Sequence, residues 1–139
     1  MRDGFEIIDH TADVAIAAYG ADMKKAFANA ALGMFSIITD IDKVNETVIR
    51  DVEVTADEMK VLLVSWLNEL LFICEVERTL FKRFEISELS ETRMIARCYG
   101  EEINLKRHKM KAEIKAATYH MIQIEEKRDC TRIQVLFDI

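Results

Sequence analysis

Metal-binding side chains crowd one short stretch near the start of the chain, Asp9-His10-Thr11-Ala12-Asp13, set between the apolar runs Phe5-Glu6-Ile7-Ile8 and Val14-Ala15-Ile16-Ala17-Ala18-Tyr19. Asp9, His10 and Asp13 can each ligate a cation, and spacing alone does not choose among them. A carboxylate inside an apolar strand pattern is costly to bury unless its charge is compensated, and Asp13 stands directly before Val14. Asp138 meets the same difficulty at the other end of the chain. It follows Val135-Leu136-Phe137, and Ile139, the last residue of the sequence, adds an α-carboxylate beside it. Asp13, Asp138 and the Ile139 carboxylate together would form a hard oxygen set suited to Ca²⁺, Mg²⁺ or Mn²⁺, with His10 in reserve for a transition metal. Spacing does not show that the two ends meet. The plainer alternative is that Asp9 or Asp13 caps a turn while Asp138 is simply solvated.

Other chemistry is sparse. His120, in Lys115-Ala116-Ala117-Thr118-Tyr119-His120, is a lone strand histidine with no nucleophile and base beside it. Lys106, Arg107, His108, Lys109 and Lys111 make the one dense basic stretch, able to meet phosphate or an acidic partner, although a solvated loop explains it as well. Cys74 and Cys98 fall on apolar faces and read as small buried hydrophobes. There is no Gly-rich phosphate loop, no triad spacing, and no His-x-x-x-His or Cys-x-x-Cys pair. A metal-dependent hydrolase built on Asp13 and Asp138 around a bound water would lack a clear general base.

The elements that must position these residues are legible from periodicity. Phe5 and Ile7, then Val14, Ile16 and Ala18, alternate as one or two strands. Asp22 is a good N-cap for a helix carrying Met23, Ala26, Phe27, Ala30, Ala31, Met34, Phe35 and Ile38 at helical spacing. Thr47 to Val54 alternates as a strand, with Arg50 misplaced on its apolar side. Thr55-Ala56-Asp57-Glu58 has the spacing of a capping box before a helix from about Asp57 to Glu75, built on Met59, Leu62, Leu63, Trp66, Leu67, Leu70, Leu71 and Cys74. Asn68 and Glu69 could support a site, although this pattern puts them on the helix's exposed edge. Period two returns at Phe84 and Ile86 and at Met94, Ala96 and Cys98; Ile114 to Ile124 reads either as helix or as strand, with Thr118, Tyr119, Ile122 and Ile124 favouring a strand before the last one, Thr131 to Phe137. The order β-α-β-α-β-β-β-β predicts an α+β fold: a two-layer single domain over residues 1–139, two amphipathic helices on a largely antiparallel mixed β-sheet. The first crossover leaves room for a parallel pair.

Composition agrees. The 139 residues are 50% hydrophobic and 32% charged, as in a globular protein, and proline is absent. A net charge of −6 argues against broad contact with nucleic acid. The longest apolar run is broken by Lys60, Ser65, Asn68 and Glu69, so no membrane span is expected. Three widely spaced cysteines and the absence of a secretory signal lead us to expect reduced thiols and a cytoplasmic location.

Taken together, Asp9-His10-Thr11-Ala12-Asp13, Trp66-Leu67-Asn68-Glu69-Leu70-Leu71, Lys115-Ala116-Ala117-Thr118-Tyr119-His120 and the ending Phe137-Asp138-Ile139 resemble the archease family over nearly the whole length. The resemblance implies a non-enzymatic accessory protein that activates the GTP-dependent RNA ligase of the RtcB class in tRNA splicing. That activator would promote guanylylation of the ligase histidine and repeated turnover, and would meet tRNA only through the ligase. It implies Asp13, Asp138 and Ile139 as the metal ligands, with Ca²⁺ foremost and Mn²⁺ or Mg²⁺ as alternatives, and it implies that residue 13 and the C-terminus converge. A different role suggested for such proteins is as a chaperone or modulator of an RNA-modifying enzyme such as a tRNA methyltransferase. Ala117, where a typical member has isoleucine, is a mild departure.

Overall fold

The computed structural model describes residues 2–10 and 13–139, and of His10 only the main chain. Elements run β1 (Gly4–His10), β2 (Asp13–Gly20), α1 (Met23–Ile38), a short 3₁₀ turn (Ile41–Lys43), β3 (Val48–Thr55), α2 (Met59–Glu77), β4 (Thr79–Leu89), β5 (Arg93–Glu102), β6 (Ala116–Glu126) and β7 (Thr131–Asp138). This is the expected α+β order, with its first strand divided in two. The strands form two sheets, β1-β2-β7-β6 and β3-β5-β4. Every pairing between them is antiparallel, so the parallel pair left open by the first crossover is not formed among the described residues.

Helix α1 begins as its sequence dictates: Asp22 accepts from the Lys25 N–H at 2.9 Å, satisfying one of the orphan donors of the first turn. Its apolar stripe, with Ala26, Phe27, Ala30, Ala31, Met34 and Phe35 fully buried, packs on β1, β2 and β7 of one sheet and on β4 of the other. Helix α2 packs on β6 and on the three-stranded sheet. Trp66 ties the helices together, its indole N–H donating to the Phe27 carbonyl at 3.1 Å inside the core. No helix among the described residues is long and apolar enough to cross a membrane.

Two local expectations are corrected. The capping box is not formed: Thr55 stays in β3 opposite Arg93, Ala56 N–H bonds to the Thr92 carbonyl at 2.9 Å, and α2 starts at Met59 behind Glu58, which makes no side-chain cap. The ladder hydrogen bonds compete for the same backbone and win. Arg50, which breaks the apolar side of β3, reaches across to Glu77 at the end of α2 at 3.0 Å, so its position is an ion pair between elements.

Strand β6 also carries a bulge. Thr118 faces Leu136 and Gln123 faces Gln134, so four residues of β6, Tyr119 to Ile122, lie opposite the single Val135. Met121 there takes a left-handed φ of 59°. Tyr119 and Met121 are exposed, and the Met121 carbonyl accepts from Gln134 Nε2 at 3.3 Å.

Close strand contact sets one sharp constraint. A Cβ built on Gly100 would lie 1.9 Å from the Leu80 carbonyl oxygen, a backbone atom that cannot rotate away. Gly100→Ala is therefore expected to cost ~2 kcal/mol or more by forcing β4 and β5 apart, read as a lower midpoint in urea unfolding.

Candidate metal centre

The candidate site lies at one end of the four-stranded sheet. Strand β2 runs antiparallel to β7 with Asp13 directly opposite Asp138, and the register continues from Val14 with Phe137 to Gly20 with Thr131. The same row extends to the His10 main chain on β1 and to Ala116 on β6. Because side chains alternate across a sheet, the two aspartates share one face, the one opposite the core-directed Val14 and Phe137. Cβ atoms of directly opposed residues lie about 4.5–5.5 Å apart. Asp13 is half-buried, Asp138 exposed, and Ile139 follows with about half its surface exposed.

The structure thus brings Asp13 and Asp138 together and leaves other candidates apart. Asp9 pairs with Val14, one residue out of phase, so strand alternation turns it to the other face. His120 lies exposed in the β6 bulge, outside the row that holds the aspartates. Thr11, Ala12 and the His10 side chain lie outside the described residues.

Like charges placed directly opposite repel unless something neutralises them. Among the described residues, no lysine, arginine or histidine forms an ion pair with Asp13 or Asp138. No cluster of three His, Cys, Asp or Glu side chains forms among the described residues either. Two facing carboxylates without a protein cation fit an oxygen-seeking divalent ion in charge and donor type, with further donors from main chain or water.

Residues 5–139, both aspartates included, match the archease protein family. The chain belongs to the archease family. It is 38% identical over 139 residues to protein archease of Methanosarcina acetivorans, spanning 97% of this chain and 95% of that protein. It is also 38% identical over 140 residues to protein archease of Methanothermobacter thermautotrophicus, spanning 98% and 99%. The solution structure of Methanobacterium thermoautotrophicum protein 1598 superposes with a TM-score of 0.83 at 39% identity, over 98% of this chain and 99% of that one. A crystal structure from Thermotoga maritima, described as an archease and possible chaperone, gives a TM-score of 0.62 at 21% identity over 100% and 98%, a likeness of fold alone.

Within this archease-family chain, sequence reasoning missed Glu101 and, although it named Asn68 as able to support a site, the bonds that Asn68 makes. The helix pattern puts Asn68 on the exposed edge of α2; it is half-buried and bonds both backbone groups of Ala117, at 2.8 and 3.2 Å. Glu101 explains the basic stretch. Arg107 bonds to Glu101 Oε2 and to the Lys43 carbonyl, while buried His108 places Nε2 2.9 Å from Glu101 Oε1. His108 Nδ1 accepts the Asn104 N–H at 2.9 Å, so Nε2 must carry the hydrogen that faces the carboxylate. Two of the five residues, Arg107 and His108, thus tie the 102–108 loop to Glu101, leaving Lys106, Lys109 and Lys111 exposed. The remaining titration shifts are structural: burial pushes the Cys74 thiol up to about 11 and the Cys98 thiol up to about 12.

Arg107, the Asn45 N–H and His108 hold the Glu101 carboxyl down to about 2. A depressed carboxylate contributes stability above its unfolded value of about 4.3 and loses it as pH falls toward the folded one. Glu101→Gln is expected to lower the melting temperature near pH 7, with the gap to wild type closing between about pH 4.3 and pH 2. Thermal melts across that range check it.

Proposed function

We propose that this archease-family protein is a non-enzymatic activator of the RtcB-class RNA ligase in tRNA splicing, acting through a divalent cation, Ca²⁺ foremost, held by Asp13, Asp138 and the α-carboxylate of Ile139. The observation that carries this reading is the direct opposition of Asp13 and Asp138 across β2 and β7 with no protein cation between them among the described residues. The partner class is the one that the sequence resemblance implies. When bound, the cation supplies a fixed positive charge for phosphate oxygens during ligase guanylylation. The chain's own part is to hold three oxygen donors at an exposed sheet end, where a partner's active site can approach, and to leave coordination positions open. Contact with tRNA comes only through the ligase.

A chaperone or modulator of an RNA-modifying enzyme, such as a tRNA methyltransferase, is the second reading, supported by the description of the Thermotoga protein as a possible chaperone. Under it the aspartates are dispensable and solubility or specificity of the methyltransferase changes on mixing.

Two measurements separate them. In calorimetry, Asp13→Ala and Asp138→Ala are expected to weaken Ca²⁺ or Mn²⁺ binding by about a hundredfold, since ligand charge count sets affinity. In multiple-turnover ligation with the cognate ligase, both variants should lose the stimulation that wild type gives; equal stimulation removes the metal-site account. A C-terminal tag keeps every side chain but moves the terminal carboxylate, so it should weaken the cation while the melting temperature in chelator stays put. Unaltered affinity in the tagged protein removes Ile139 from the ligand set.

A further inference from the structure

The sheet order leaves β6 with a strand on one side only, and the outer main-chain groups of an edge strand need partners. At Ala117 those partners come from a single side chain. The Ala117 N–H donates to Asn68 Oδ1 at 2.8 Å, and Asn68 Nδ2 donates to the Ala117 carbonyl at 3.2 Å. A carboxamide presents one acceptor and one donor in a plane, as a peptide group does, so Asn68 serves as a one-residue substitute for the missing strand. Aspartate would lack the donor, and leucine would leave both groups unmet.

The clamp has a fixed base. Asn68 stands on the turn of α2 whose Trp66, Leu67 and Leu70 are fully buried. On its other side the clamped segment grips the end of β7. Lys115 N–H donates to the Asp138 carbonyl at 2.8 Å, and Thr118 Oγ1 donates to the Leu136 carbonyl at 3.0 Å. Ala116 and Ala117 are the register partners of Asp138 and Phe137. Residues 115–118 therefore join a rigid helix to the last residues of β7. Asp138 closes that strand, where pairing ordinarily frays.

We propose that Asn68 is a positioning residue for Asp138 and Ile139: its carboxamide clamps Ala117, and through Lys115 and Thr118 holds the end of β7 in place opposite Asp13. The consequence for cation binding rests on the metal-site reading above; the mechanical claim does not. Loss of the clamp removes no donor atom. It removes preorganisation, so that the cation must order Asp138 and Ile139 at the moment of binding.

Asn68→Leu keeps the number and branching of side-chain heavy atoms and deletes both bonds. Calorimetric titration of the full chain with Mn²⁺ is run beside amide exchange at Ala117 and amide-nitrogen relaxation at Asp138 and Ile139. The expected result is roughly tenfold weaker binding, faster exchange at Ala117 and greater motion at Asp138 and Ile139, with a melting temperature only a few degrees lower. Wild-type affinity together with wild-type order at these residues overturns the proposal. Should wild type itself take up no Mn²⁺, the metal-site reading fails alone, and the relaxation data still decide the positioning claim. Should Asn68→Leu not fold, Asn68→Asp removes only the donor. Its added negative charge favours a cation, so weaker binding in it reports lost positioning, and unchanged order at Asp138 and Ile139 overturns the claim.

Discussion

The ladder between β2 and β7 is the interaction on which the rest of the structure depends. It joins the second strand of the chain to the last, in a register that runs without a break from Asp13 with Asp138 to Gly20 with Thr131. Its core-facing residues, Val14, Ile16 and Ala18 on one strand and Ile133, Val135 and Phe137 on the other, are buried under α1. A slip of one residue would turn the three on the slipping strand to the wrong face, so hydrophobic burial fixes the register strongly. The facing pair of aspartates is a by-product of that constraint. Their repulsion is small beside the apolar area that sets the pairing, which is how a fold can hold two like charges opposite each other.

Around this ladder, the two helices do different work. Helix α1 spans the sheets and buries both, while α2 reaches the outer strand β6 through Asn68 and the core through Trp66. The three-stranded sheet carries charge pairs of its own. Arg83 with Glu46, Arg93 with Glu53 and Arg97 with Asp51 lace its surface, and such exposed pairs add little stability each. Those carboxylates each face an arginine, whereas Asp13 and Asp138, among the described residues, face each other with no ion pair to either.

What the sequence made legible follows from what repeats. Helix α1 and its Asp22 cap, α2, and the strands of β3, β5 and β7 all carry periods that survive without tertiary information, because one face of each is buried. The convergence of Asp13 and Asp138 left no such trace; it depends on a pairing between residues more than a hundred positions apart, and entered the sequence reading only through a family resemblance. Bonds made by single polar side chains were equally silent. Asn68 sits where a helix pattern expects solvent, and Glu101 gathers Arg107 and His108 from a stretch whose charge alone suggested an outside partner. Thr55 and Glu58 had the right spacing for a cap, but the spacing could not say that the sheet would claim Thr55 first. The β6 bulge did leave a signal: core contacts move from odd positions at Ala117 to even ones at Ile122 and Ile124, and a change of parity requires inserted residues.

The central claim is that Asp13 and Asp138 hold a divalent ion between them. Crystals of the protein grown or soaked with Mn²⁺, with diffraction collected to record the anomalous scattering of that metal, test it most directly. The account expects one strong anomalous peak within bonding distance of both side-chain carboxylates and of the Ile139 carboxylate. A map with Mn²⁺ bound elsewhere and none between the two aspartates would contradict it.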